Sequence, residues 1–283
     1  MKLLNLGCGN HYHKEWINID FSSDSEYVKA HNLIKGIPYN DNSIDVVYHS
    51  HLLEHFTKKD AAIFIRECYR VLIPQGTIRI AVPDLETIAK EYLRNLNRAL
   101  HNEPNAESDY DWILLEMYDQ TVRNTSGGEM AKYLFRKEIP NKEYVFNRLG
   151  NEAKNLHENY LNSKNTKTLQ HKASISPSKK TGIGNLSGLA KYILRHTFFR
   201  KEFEAINNDL NAFEVGRFRL SGEVHQYMYD RYSLSKLLSG CGFKNIKVVS
   251  AFESCINDWN KYQLDTVEGI TRKPDSLFIE AIK

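Results

Sequence analysis

Leu3-Leu4-Asn5-Leu6-Gly7-Cys8-Gly9-Asn10, followed by Trp16-Ile17-Asn18-Ile19-Asp20, is the stretch that decides the fold. A short apolar run ends on two glycines, as a buried strand does where backbone amides must come close to a bound group. The second apolar run ends on an acid. In open α/β sheets, ligands sit beyond the carboxyl ends of such strands, and a carboxylate there can accept hydrogen bonds from both hydroxyls of a ribose. A GxG turn alone is a weak signal; Asp20 strengthens it. A dinucleotide site would want a third glycine where Tyr12 stands and a helix to hold a pyrophosphate, so a nucleoside cofactor fits and NAD is disfavoured.

Outward from this turn, strand and helix alternate. Ile44-Asp45-Val46-Val47-Tyr48 is a β-branched run expected as a central strand. A helix follows, with Asp60 as its cap; Ala61, Ile63, Phe64, Ile65, Cys68 and Leu72 recur at helical spacing, and Pro74 is the expected stop. Gly76–Val82 reads as a strand and Leu85–Leu100 as a helix. A helix over 231–240, with Tyr232, Leu234, Leu237 and Leu238 on one face, closes at Gly240 or Gly242. Strands Asn245–Val249 and Ser276–Ile282 come after it. Strands separated by helices imply right-handed crossovers and a mostly parallel sheet, an α/β sandwich. From 101 to 222 the pattern loosens into helical pieces (111–123, 129–137, 186–200) and polar stretches, of which 162–186 is expected to be mobile. The chain therefore divides into a ligand-binding core (1–100), a mainly helical insertion (101–222) and a segment completing the core (223–283).

Composition removes several classes. The apolar runs fall far short of the roughly 18 residues of a membrane span, and Met1–Gly7 is too short for a secretory signal. Cys8, Cys68, Cys241 and Cys255 form no CxxC pair, so the default is a reducing cytoplasm without a disulfide framework. The net charge of +3 hides an asymmetry: residues 131–201 carry fifteen Lys and Arg against four acids. Such a block can attract phosphate, a sugar nucleotide, nucleic acid or an acidic leaflet, or simply keep a helical insertion solvated. Within it, Leu189–Arg200 is amphipathic and basic, suited either to an anionic membrane surface or to packing on the domain.

Leu3–Gly9, Asp20 and the run Gly36-Ile37-Pro38-Tyr39-Asn40-Asp41-Asn42-Ser43-Ile44-Asp45-Val46-Val47 through Leu53-Glu54-His55 resemble class I S-adenosylmethionine (SAM)-dependent methyltransferases, in particular the type 11 domain with its LPF-DNSFD-V-LEH pattern. Arg70–Thr77 resembles that family's RVLKPGG turn, and Tyr229-Asp230 through Gly242-Phe243 its closing helix–strand unit. A narrower likeness over Trp112–Met130, Val224–Tyr232 and Arg272–Lys283 points to a branch often associated with surface-glycan biosynthesis. The resemblance implies a Rossmann-like sandwich with an antiparallel last strand and SAM as cofactor. It would put Gly7, Cys8 and Gly9 against the amino-acid part of SAM, Asp20 on the ribose, Asn32 and Leu33 near the adenine, and His49 at the methionine end. Asn32 replaces the usual Asp, but an amide oxygen still accepts from the adenine amino group. Six residues between Gly9 and Trp16 cannot hold the usual multi-turn helix, so His11–Glu15 is expected to be a loop or single turn. With the first strand starting at residue 3, the 101–222 insertion is the expected lid.

Methyl transfer is an in-line displacement in which positioning dominates, and a base is needed only where the acceptor keeps its proton until reaction. His51, just past the fourth strand, is the first candidate base; its alternative is a helix-start residue bonding backbone. His225 could face the cleft from the insertion side or act as a hinge contact, and Asp84 could bind an acceptor or cap the following helix. His55 reads as packed, and the thiol of Cys8 as a small filler rather than a nucleophile. Asp109, Asp111, Arg123 and Glu129 read either as acceptor contacts or as exposed helix charges. His11, His13, His49, His51 and His55 lie on different elements without partner cysteines, so no metal is expected. The leading function is methyl transfer to a small-molecule or glycan acceptor, at oxygen. An RNA methyltransferase is disfavoured, because Tyr48-His49-Ser50-His51 stands where an NPPY-type motif would be and no aromatic-interleaved RNA-binding module is present. A non-catalytic scaffold is the remaining alternative.

Overall fold

The computed structural model describes residues 1–173 and 200–283, with side chains for 1–164 and 209–283. Its strands are β1 (Leu3–Leu6), β2 (Ile17–Asp20), β3 (Val28–Ala30), β4 (Ile44–Ser50), β5 (Leu72–Pro83), β6 (Lys244–Val249), the short β7 (Thr266–Val267) and β8 (Ile270–Thr271), and β9 (Ser276–Ile282). Seven of them form one sheet in the order β3-β2-β1-β4-β5-β9-β6. β9 runs antiparallel to both neighbours, and the rest are parallel, giving the expected Rossmann-like α/β sandwich with an antiparallel last strand. The helices are α1 (Lys58–Val71), α2 (Leu85–Leu100), α3 (Ala106–Val122), α4 (Gly128–Leu134), α5 (Lys142–Leu149), α6 (Asn151–Ala173), α7 (Arg200–Arg219) and α8 (Arg231–Gly240).

Strand alternation divides the sheet into two unlike faces. Leu4, Leu6, Ile19, Val47, Ile78 and Ile80 point to one face, where Ile65 and Cys68 of α1 and Leu234 and Leu238 of α8 cover them. On the other face lie Leu3, Val46 and Tyr48. The ten residues joining β1 to β2 contain only a turn, as their number requires, so no crossover helix is available to cover this side. A late segment does so instead: Ile256, Trp259, Tyr262 and Leu264 pack with Trp16 on Leu3, Val46 and Tyr48. The Trp16 ring meets those of Trp259 and Tyr262 edge-on, with centroids 6.1 and 5.4 Å apart.

Arg79 of β5 pins that segment from below. Fully buried, it donates from Nε to Asp265 Oδ2 and from Nη1 to Glu280 Oε1, both at 2.7 Å. It also donates to the carbonyls of Ser250, Ala251 and Glu253, and its guanidinium lies 4.3 Å from the Trp259 ring centroid. Tyr48 Oη donates to Asp265 Oδ1 at 2.7 Å. Arginine suits this position because its planar fork serves several acceptors while its face stacks on an indole.

Some boundaries differ from the sequence reading. α1 is capped by Thr57, whose Oγ1 accepts from Asp60 N at 3.2 Å, and not by Asp60. The helix stops at Val71 because the next residue, Leu72, already pairs with Ile44 across the sheet; Pro74 lies inside β5. α3 begins at Ala106 rather than 111. The stretch read as mobile from 162 starts within α6, which is anchored earlier by buried Ala153 and by His157 Nδ1 at 2.8 Å from Leu134 O. The remainder of that stretch, and the basic amphipathic segment 189–199, lie outside the described residues. Trp112, Met130, Tyr133, Leu134, Val145 and Ala153 give α3–α6 an apolar cluster of their own.

Candidate functional site

Gly7 and Gly9 both adopt positive φ, at +63° and +53°. Gly7 N donates to Ile19 O at 2.8 Å, and a Cβ at residue 7 would meet the Leu52 side chain at 2.7 Å, so glycine is required there. At Gly9 the space a Cβ would fill is open, leaving a bare cradle. Gly9 N donates to Asp20 Oδ2 and Phe21 N to Asp20 Oδ1, both at 2.7 Å. The acid that ends β2 thereby closes the turn that ends β1, and each carboxylate oxygen keeps a lone pair for a ligand.

Two cavities flank this turn. The larger, about 730 Å³, lies beneath Gly7, Cys8 and Gly9 and is walled by Tyr48, Ser50 and His51 from the end of β4. Asn151, Glu152 and Asn155 of α6 line its opposite side, and Arg272 and Lys273 lie between β8 and β9. The other, about 430 Å³, contains Asp20, Tyr12 and Ser22–Ser25. Gly9 and Asn10 belong to both, so an elongated ligand with a ribose at Asp20 would cross the glycine turn into the larger space.

The other expected cofactor contacts lie elsewhere. Asn32 caps the single turn Leu33–Lys35, its Oδ1 accepting from Ile34 N at 3.0 Å, and Leu33 packs half-buried against the core. Neither lines either cavity. His49 is fully buried on the α1 face, edge-on to Phe64, and burial pushes its basicity down to about 3. The period of two puts Tyr48 and Ser50 at the cavity and turns His49 away. The Cys8 thiol is pushed up to about 12, first by burial and then by the charge of Asp20, so it is held protonated.

His51 occupies the junction. Its backbone is left-handed at φ +50°, a conformation uncommon outside glycine. Nε2 lies 2.8 Å from Ser276 Oγ, which orients the ring, and Nδ1 lies 3.3 Å from Glu54 Oε1 without a hydrogen bond. Beyond it lies a smaller cavity of about 240 Å³, lined by Gln120, Arg123, Met130, Leu134, Lys273 and Asp275 among others. His51, Glu152 and Lys273 line both spaces. Burial, then the charge of Lys273, holds the imidazole well below its ordinary basicity, while burial pushes Glu54 up to about 8.

Asp84 caps α2, its Oδ1 accepting from Glu86 N at 3.0 Å and its other oxygen accepting from Thr87, and it lines neither cavity beside His51. His225 is buried on the far side of Glu54 and lines a separate surface cavity. Asp109 pairs with Arg98 and Glu129 with Lys132, whereas Arg123 reaches the smaller cavity. The sequence reading missed Arg272, Lys273 and the α6 residues as cavity walls. Their only signal was the Arg-Lys-Pro-Asp run just before the last strand.

Asp275, in the smaller cavity, is pushed up to about 6 by burial and by the charge of Glu116. The folded state therefore disfavours its ionised form, and stability falls as pH rises from about 4 to 6. Asp275→Asn is expected to unfold about 1–3 kcal/mol later than the wild type at pH 7, with the gap closing below about pH 4. Urea titrations at the two pH values measure it, and a gap independent of pH would refute the assignment.

A glycine turn and an acid at adjoining strand ends of a doubly wound sheet can hold a nucleoside cofactor. Residues 4–80 match the methyltransferase domain family, whose cofactor is S-adenosylmethionine. No curated protein matches the chain in sequence. Among solved structures, a SAM-dependent methyltransferase from Archaeoglobus fulgidus is 11% identical, with 100% of this chain and 86% of that one covered at a TM-score of 0.37. One from Thermotoga maritima, described as a possible histamine N-methyltransferase, is 10% identical over 100% and 82% of the two chains, at 0.36. One from Aquifex aeolicus is 16% identical over 30% and 57%, at 0.24. At these scores the strand order, and not the likeness, carries the fold.

Proposed function

We propose that the protein methylates a hydroxyl of a small-molecule or glycan acceptor, with His51 as general base. The observation that carries this reading is the position of His51, shared by the cavity under the glycine turn and the smaller cavity beyond it. SAM, when bound, supplies a methyl carbon activated by its sulfonium. The open cradle at Gly9 and the carboxylate of Asp20 suit its amino-acid part and its ribose. The remaining tasks fall to the chain: Ser50, Tyr48 and the α6 residues enclose the space, and His51, oriented by Ser276, takes the acceptor's proton. A smaller cavity of about 240 Å³ suits a single ring of an acceptor better than a nucleic-acid strand.

A cytoplasmic setting belongs to this reading and is supported by four free cysteines. Among the described residues no helix is long and apolar enough to cross a membrane. Peripheral contact of Leu189–Arg200 with an anionic leaflet would bring a lipid-linked glycan to the site. The test is to incubate the protein and labelled SAM with cell extract divided into glycan, lipid, nucleic-acid and small-molecule pools. Label is expected in the glycan or small-molecule pool, and His51→Gln should lower it by about 10²–10⁴-fold while calorimetry still detects SAM binding. Undiminished incorporation by the variant, or label confined to nucleic acid, would reject the proposal.

A further inference from the structure

We propose that Glu54, His55 and His225 bind a divalent transition-metal ion. One ligand atom from each of the three lies within 4.8 Å of the others. Both carboxylate oxygens of Glu54, Nδ1 of His55 and Nδ1 of His225 are buried without a hydrogen-bond partner. Four orphaned acceptors and donors in one place are costly unless something binds them. Ligands about 2.1 Å from a tetrahedral ion lie about 3.4 Å apart, so side-chain rotation alone can draw the three inward.

The backbone holds these residues in register. Gln226 N and Tyr227 N both donate to Glu54 O, at 2.7 and 3.3 Å, and His225 N donates to Gln120 O at 2.9 Å. The two imidazole rings stand perpendicular, with centroids 4.8 Å apart. His225 also lines a surface cavity of about 490 Å³ with Thr121, Arg219 and Leu220, which gives an ion a route in. Two imidazoles and one carboxylate favour zinc, cobalt, nickel or iron over magnesium and calcium, which prefer oxygen alone. Spacing among the N-terminal histidines gives no hint of the site, because His225 joins it only through the fold. The ion would tie the turn after β4 to the segment entering α8, beside Glu54's contact with His51.

The experiment uses untagged protein stripped by chelation and titrated with cobalt chloride. One equivalent is expected to bind, with visible d–d absorption, displacement by zinc and a rise in melting temperature; magnesium chloride should do nothing. His225→Ala and His55→Ala are each expected to weaken cobalt binding by about 100-fold or more. Circular dichroism and SAM calorimetry on the same samples report whether the variants fold. No cobalt binding by the stripped wild type, or undiminished binding by the folded His55→Ala/His225→Ala protein, would overturn the proposal.

Discussion

Arg79→Met is expected to destabilise the protein by about 3–5 kcal/mol, the loss that follows when one partner of a buried ion pair is removed. Asp265 and Glu280 would remain, with side chains 1% and 6% exposed and the guanidinium that pairs with both gone. The carbonyls of Ser250, Ala251 and Glu253 would also lose their donor. Against a typical stability of about 5–15 kcal/mol the change is large. Urea denaturation measures it directly. Replacing the carboxylates as well, in Arg79→Met/Asp265→Leu/Glu280→Met, should recover much of the loss, because an apolar core can substitute for a buried ion cluster. A single-variant effect below about 1 kcal/mol would mean that the network is hydrated, contrary to the structure.

Asp20→Ala is expected to weaken SAM binding by about 100-fold or more, and calorimetry measures it. Two effects combine. The carboxylate would lose hydrogen bonds to the ribose hydroxyls, each worth about 1.5–3 kcal/mol when the acceptor is charged. The 2.7 Å bond that holds Gly9 N, and with it the turn, would also go. Gly9 is exposed, so water satisfies its amide and the fold should survive, separating binding from stability. Asp20→Asn, which keeps one acceptor, should fall between the two. Unchanged affinity in Asp20→Ala would show that the ribose binds elsewhere.

The sequence reading was most informative where the chain is apolar and the period clear. β1, β2, β4, β9 and α8 bury most or part of their length against one core, so pattern alone marks them. β3 escaped notice because it has three residues and buries only Val28. α6 was missed because its sequence is polar. The glycine turn, Asp20 and His51 are readable because strand ends converge in any open parallel sheet. His49 was misleading for a local reason: both faces of β4 are buried, so Val46-Val47-Tyr48 shows no alternation to say which way the next side chain points. Arg272, Lys273 and the grouping of Glu54 with His225 depend on contacts between distant segments, which no local pattern encodes.

The borrowed cover over Trp16 and Tyr48 has a consequence during synthesis. Both aromatic rings leave the ribosome long before Trp259 and Tyr262, the residues that shield them. At about 5–20 residues per second, the delay is roughly 10–50 s. Throughout that interval a nascent chain carries an uncovered indole and phenol on a half-built sheet, the kind of surface that chaperones hold and that aggregates when they do not. Premature termination before residue 256 would make that exposure permanent.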